Sequence, residues 1–125
     1  MRDRTRVNRI VVKKIIEYCD DIKDYMNQVN ATCEIYLSNK IFRYACDMCV
    51  LQIGELTKRL SEDFKAQHSE IPWNKVKAMR NVLVHEYEEV DFEIAWNILT
   101  QRIPELKAQL EKILEAEGGL DDSQI

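Results

Sequence analysis

The stretch Phe92–Ile113, FEIAWNILTQRIPELKAQLEKI, decides the fold. Its apolar residues Phe92, Trp96, Leu99, Ile103, Leu106, Leu110 and Ile113 follow one another at steps of 4, 3, 4, 3, 4 and 3. That alternation keeps one seam of a helix apolar, the pattern by which helices pack side by side. Pro104 falls inside the seam and removes the backbone donor to the carbonyl of Thr100, which predicts a kink and not a break. A helix of this length with an apolar seam needs other helices to cover it, so the rest of the chain is read for them.

Upstream, three further helical blocks emerge. Val12, Ile15, Ile16, Cys19, Ile22, Met26 and Val29 recur at steps of three and four and place one face on a helix from about Val7 to Val29. After the break NATCEIYLSN, with one possible turn, Ser38 is the expected N-cap of a second helix running to about Phe64. Its expected inner stripe is Ile41, Tyr44, Ala45, Met48, Cys49, Leu56 and Leu60. The loop KAQHSEIP ends in Pro72, where a helix-starting proline is tolerated. A third helix then begins near Trp73, with Val76, Met79 and Leu83 inward. YEEVD interrupts the pattern, and Asp91 is expected to cap the last helix. These readings give an all-α, up-and-down bundle of four main helices with room for an extra short one. The domain is expected over residues 1–117 and a frayed tail over 118–125.

Composition agrees. Three glycines and two prolines in 125 residues argue against a strand-rich or loop-rich chain. Apolar residues make up 46% and charged residues 32%, enough for both a core and a soluble surface. No apolar run approaches about 18 residues, and no leader-like stretch follows the first arginines, so a cytoplasmic location with no membrane contact is expected. The net charge of −4 gives no general pull toward nucleic acid. The opening MRDRTRVNRIVVKK is nevertheless basic, and it is the first place to look for phosphate contacts. Four cysteines suit a reducing compartment. Cys46 and Cys49 in CDMC have metal-like spacing, but no second pair completes a site, and they are read as core thiols with no metal bound.

The candidate site lies in Met79–Asp91, MRNVLVHEYEEVD. It holds Arg80, Asn81, His85 and Tyr87. Each helical residue turns by about 100°, so His85 lies roughly 140° from Arg80. The two converge on one atom only if the helix ends or bends near His85, or if they meet a second copy across a two-fold axis. Histidine can take or give a proton near neutral pH, and arginine offers a fork of donors to phosphate oxygens. Together they suffice to cleave RNA through its 2′-hydroxyl, a group that DNA lacks. Spacing alone leaves a bland reading open, in which His85 caps a helix end beside a solvated arginine. Glu55, polar in a mostly apolar helix, either orients Arg80 or His85 or faces solvent. His68 is assigned no role.

The segment RNVLVHEY fits R-x-x-x-x-H-x-Y, and on it the chain resembles the HepT-like (DUF86) proteins of the HEPN superfamily. The resemblance covers Leu51–Leu110, including Ile53-Gly54-Glu55, Ile71-Pro72-Trp73 and the Trp96…Pro104-Glu105-Leu106 of the last helix. The first helix fits in length and pattern only. The resemblance implies a prokaryotic toxin of a type VII-like toxin–antitoxin pair, acting as a homodimeric, metal-independent ribonuclease. Arg80 and His85 would be catalytic and Asn81 supporting. The partner would be an MNT-type nucleotidyltransferase that moves AMP from ATP to Tyr87, with ATP serving the antitoxin and not this chain. A competing reading is a non-catalytic dimeric helical module that binds a nucleotidyltransferase or nucleotide. The RNA target, transfer or messenger, is not specified.

Overall fold

The computed structural model describes residues 2–85 and 92–117, and these are helical with short connections and no strand. Helix α1 spans Arg2–Val29, α2 Cys33–Ser38, α3 Lys40–Thr57, α4 Glu62–Gln67 and α5 Trp73–His85. The last long helix consists of α6, Phe92–Asn97, a π-helical turn over Ile98–Arg102, and α7, Ile103–Ala116. The four long units are α1, α3, α5 and the α6–α7 rod, as the sequence predicts. The two short helices, α2 and α4, join them. Asp91, expected to cap the last helix, lies outside the described residues, as does the tail after 117.

α1, α5 and the last long helix bury the predicted faces almost throughout. Val12, Ile15, Cys19 and Ile22 of α1 are in the core, and Val76, Met79 and Leu83 of α5 join them. From the seam, Leu99, Ile103, Leu106, Leu110 and Ile113 are buried, while Phe92 and Trp96 are half-buried against the same cluster. Ion pairs close the layers at their margins: Arg9 of α1 meets Glu117 just beyond α7 at 2.7 Å, and Lys107 meets Asp20. Asn30, with φ of 49°, takes the left-handed position that ends α1, and the Ala31 amide donates to the Met26 carbonyl. Asparagine tolerates this conformation better than most residues, so the chain turns there without glycine.

Two expectations need correction. The second long helix neither starts at Ser38 nor runs to Phe64. Ser38 is the last residue of α2, and Asn39 caps α3, its side chain accepting from the Phe42 amide at 3.0 Å. The helix stops at Thr57, and Ser61 caps a separate α4 through the Phe64 amide. Asparagine and serine are both strong caps, so Asn39 starts α3 and Ser61 starts α4, dividing one apparent helix into two.

The expected inner stripe holds at Cys49, Leu56 and Leu60, which are buried, but not in the N-terminal half of α3. Ile41, Tyr44 and Met48 are 84%, 50% and 54% exposed, whereas Phe42, Cys46, Cys49, Val50 and Ile53 are buried. The helix is apolar on both sides at its N-terminal half, and periodicity alone selects the wrong side. Its inward face also carries charge: Asp47 is buried and accepts the Tyr36 hydroxyl at 2.7 Å, and Arg43 donates to the carbonyls of Tyr36 and Leu37.

Pro104 acts as predicted in part. The helix continues past it, but the accommodation is a π turn, in which the Ile103 amide reaches back to the Ile98 carbonyl. One residue is in effect inserted, so the proline ring escapes the carbonyl that it would strike in a regular α-helix.

Candidate active site

Helix α5 carries the site, and three features hold it in place. The Pro72 carbonyl accepts from the Val76 amide at 3.0 Å and starts the helix. The Trp73 indole donates to the carbonyls of Lys65 and His68, both at 3.1 Å, and fastens the helix start to α4. Val76, Met79 and Leu83 then anchor one face in the core. The His68 ring lies 4.6 Å from that of Phe64.

Arg80 is turned toward α3. Its Nε lies 3.3 Å from Glu55 Oε1, and Lys58 Nζ reaches the same carboxylate at 3.3 Å. The side chains of Arg80 and Glu55 are 42% and 47% exposed, so this pair contributes at most about 1 kcal/mol to stability. Its effect is on direction: Glu55 holds the guanidinium at the surface with donors to spare. Of the two readings of Glu55, both are realised, since it faces solvent and contacts Arg80. Asn81 is exposed on the same helix. Helix α5 stays helical through His85, which is its last residue. The helix is continuous from Arg80 to His85, and the two positions lie about 140° apart around its axis. For His85 the description extends to the backbone, and Tyr87 lies outside the described residues.

Gly54 is a site residue that the sequence reading passed over. A Cβ on Gly54 would stand 3.2 Å from the Arg80 Cβ and 4.0 Å from the Lys77 carbonyl. Only a residue without a side chain lets α3 and α5 approach so closely under Arg80. The available signal was a glycine inside a helix in a chain that has three in all.

The surroundings of Glu55 concentrate positive charge. On the other flank of α3, a groove of about 200 Å³ is lined by Lys14, Glu17, Tyr18, Gln52, Glu55, Leu56 and Arg59. Lys14, Lys58, Arg59 and Arg80 thus gather about two acids, Glu17 and Glu55, on a chain of net −4. From the basic opening segment, Lys14 lines this groove. Arg9 is engaged with Glu117, and Arg4 lines a different groove at the α4 end of the bundle. Lys75 likewise faces elsewhere, in a groove with Arg102 between α5 and α7.

The cysteines take no part in this site. Burial pushes the thiols of Cys19 and Cys46 up to about 12 and that of Cys49 up to about 11. Such thiols stay protonated and act as core side chains, as the sequence reading has it. Among the described residues no cluster of His, Cys, Asp or Glu could hold a metal ion, and no helix is long and apolar enough to cross a membrane.

Comparison with known proteins places this geometry in context. A family model described as "Ribonuclease HepT-like" matches residues 15–113. Among curated relatives, "Putative RNase MJ1216" of Methanocaldococcus jannaschii is 33% identical over 111 residues, covering 89% of this chain and 90% of that protein. "Probable ribonuclease HepT" of Thermococcus cleftensis is 32% identical over 108 residues, covering 86% and 96%. "Putative RNase TTE0752" of Caldanaerobacter subterraneus is 29% identical over 109 residues, covering 87% and 96%. No solved structure matches the chain.

Proposed function

The chain belongs to the HepT-like family, and from that premise we propose that it is the toxin of a HepT/MNT toxin–antitoxin pair, a metal-independent endoribonuclease in the cytoplasm. The observation that carries the reading is the surface-held Arg80, paired with Glu55 and ringed by cations on an otherwise acidic protein. A cationic focus of this kind attracts a polyanionic backbone despite a negative net charge. The names of its relatives support the ribonuclease reading.

In the proposed reaction, His85 accepts the proton of a ribose 2′-hydroxyl. The 2′-oxygen bonds to the adjacent phosphorus, the bond to the 5′-oxygen breaks, and that oxygen leaves with a proton. Arg80 donates to the phosphoryl oxygens as charge builds on them, and Asn81 adds a further donor. The products are a 2′,3′-cyclic phosphate and a 5′-hydroxyl. Glu55 is a positioning residue for Arg80. The active form is a homodimer with the two motifs lining one cleft, a reading favoured by a helix that runs on from Arg80 to His85 and so sets the two positions about 140° apart. Control falls to an MNT-type nucleotidyltransferase that transfers AMP from ATP to Tyr87. The added phosphate would repel and exclude RNA phosphates from the cleft.

The test is cleavage by purified protein in the presence of a chelator. RNA should be cut and DNA left intact, and Arg80→Ala or His85→Ala should each abolish cutting. Inhibition by chelator, or cutting by the His85 variant, overturns the mechanism. Co-expression with the antitoxin should leave AMP on the Tyr87 peptide in mass spectrometry and none on a Tyr87→Phe chain.

A further inference from the structure

We propose that the groove between α1 and α3 seats one unpaired base of the RNA, that of a nucleotide adjoining the phosphate held by Arg80, and that Tyr18 is the residue on which this base stacks. The assignment rests on the ribonuclease reading above for the identity of the strand. Tyr18 stands at the edge of the inward face of α1, half-buried against the core, and lines the groove. Lys14 lies one turn before it on the same helix. From α3 come Gln52, Glu55 and Arg59, whose steps of three and four set them in one row along that helix.

Size and lining both point to a base. The volume of about 200 Å³ is below the roughly 300 Å³ at which sites for drug-sized ligands begin, and it suits one planar ring system. A partner helix, about 10 Å across with its side chains, finds no seat there. The lining is one aromatic ring, one leucine and otherwise polar or charged side chains, so a purely apolar ligand is poorly served. An aromatic ring for the base and cations for the backbone are the parts from which single-strand sites are made.

The charges say which part of a nucleotide goes where. The Glu55 carboxylate is met by Arg80 and Lys58, each at 3.3 Å. Lys14 and Arg59 are exposed, and among the described residues they enter no ion pair, so both are open to phosphates. Glu17 and Glu55 repel a phosphate from the groove itself but can accept from the amino groups that bases carry. The base therefore goes in and the backbone stays at the rim. Glu55 belongs both to the groove wall and to the contact with Arg80. A single carboxylate thus separates the two sites, a span on the order of one nucleotide, since stacked nucleotides advance by about 3.4 Å. A base held in a duplex is stacked and paired, and it cannot enter.

The test is cleavage of a short unpaired RNA by the full chain, beside two companion RNAs that lack one base, but keep its sugar and phosphate, on either side of the scissile bond. Wild-type kcat/KM should fall at least about tenfold on one of the two. Tyr18→Leu keeps apolar packing but not the flat ring. It should cut the complete RNA at least about tenfold more slowly and lose nothing further when that base is missing. Tyr18→Phe should restore the dependence on the base. A Tyr18→Leu chain that still loses as much as wild type overturns the proposal, because a merely structural Tyr18 leaves that dependence intact. A wild type indifferent to both missing bases overturns it too. The same RNAs with a 2′-O-methyl group at the scissile nucleotide cannot be cut and report binding alone. On them Lys14→Ala and Arg59→Ala should each lower the salt slope by about one. A chain that cuts no RNA but binds these with the Tyr18 and base dependence described leaves the groove standing and overturns the ribonuclease reading. One that cuts RNA while the two losses simply multiply leaves that reading standing and overturns the groove.

Discussion

Gly54 and Arg80 are coupled by the absence of a single carbon. In the interior of α3, alanine is the better helix former by about 0.5–1 kcal/mol. At this position the new Cβ would meet the Arg80 Cβ at 3.2 Å, so α5 must yield by a few tenths of an ångström. Gly54→Ala should therefore lower RNA cleavage by on the order of tenfold, as small displacements of catalytic groups do. Its melting temperature should move by only a few degrees in either direction. Paired melting and cleavage assays check this, and a proportional loss of both would make Gly54 a folding residue only. At this scale the sequence was partly readable. The spacing of Arg80, Asn81, His85 and Tyr87 places them on a helix end by rotation alone. Gly54, Lys14 and Arg59 come to Arg80 from other helices, and no spacing rule reveals a tertiary neighbour.

Among the elements, α3 departs furthest from its sequence reading, and the cause is visible in α2. Tyr36 is fully buried, donates to Asp47, and lies edge-on to Phe42 and Phe92. By accepting the Tyr36 hydroxyl, Asp47 can face inward, while Arg43, also inward, closes the end of α2 by donating to its last carbonyls. With Phe42, Arg43 and Asp47 turned in, Ile41, Tyr44 and Met48 are turned out. A charged pair at steps of four on an inward face runs against the usual rule that charge marks solvent, so the pattern misleads. Tyr36→Phe should cost about 1–3 kcal/mol, the contribution of one buried hydrogen bond to a charged acceptor. Urea denaturation measures it, and a change below a few tenths would mean that Asp47 is satisfied without Tyr36. The α6–α7 seam, by contrast, was readable from its spacing, and Leu99, Ile103, Leu106, Leu110 and Ile113 are buried along it.

For the whole molecule, the four-helix outline followed from two things: the near absence of glycine and proline, and apolar periods long enough to need mutual cover. The same core sets a pH limit. Cys19, Cys46 and Cys49 have folded-state values raised by burial above the ordinary thiol value of 9.0. A raised value means that the folded state binds the proton more tightly. The stabilisation is complete below about pH 9 and is lost as pH rises toward 11–12. Melting temperature should therefore fall steadily above about pH 9. A thiol reagent at pH 8 should modify Cys33, which is half-exposed, and reach the other three only on unfolding. Fast labelling of all four in the native protein would contradict this packing.

The π turn before Pro104 has a consequence for how a chain of this kind can change length. Insertions and deletions are ordinarily confined to loops, because one residue gained inside a helix rotates everything beyond it by about 100°. Ile98–Arg102 already contains such a gain, absorbed as one wide turn. A descendant that lost a residue here would regain a regular helix and meet the proline ring at a backbone carbonyl. The deletion and the replacement of Pro104 are therefore bound to each other: either change has to wait for the other or arrive with it.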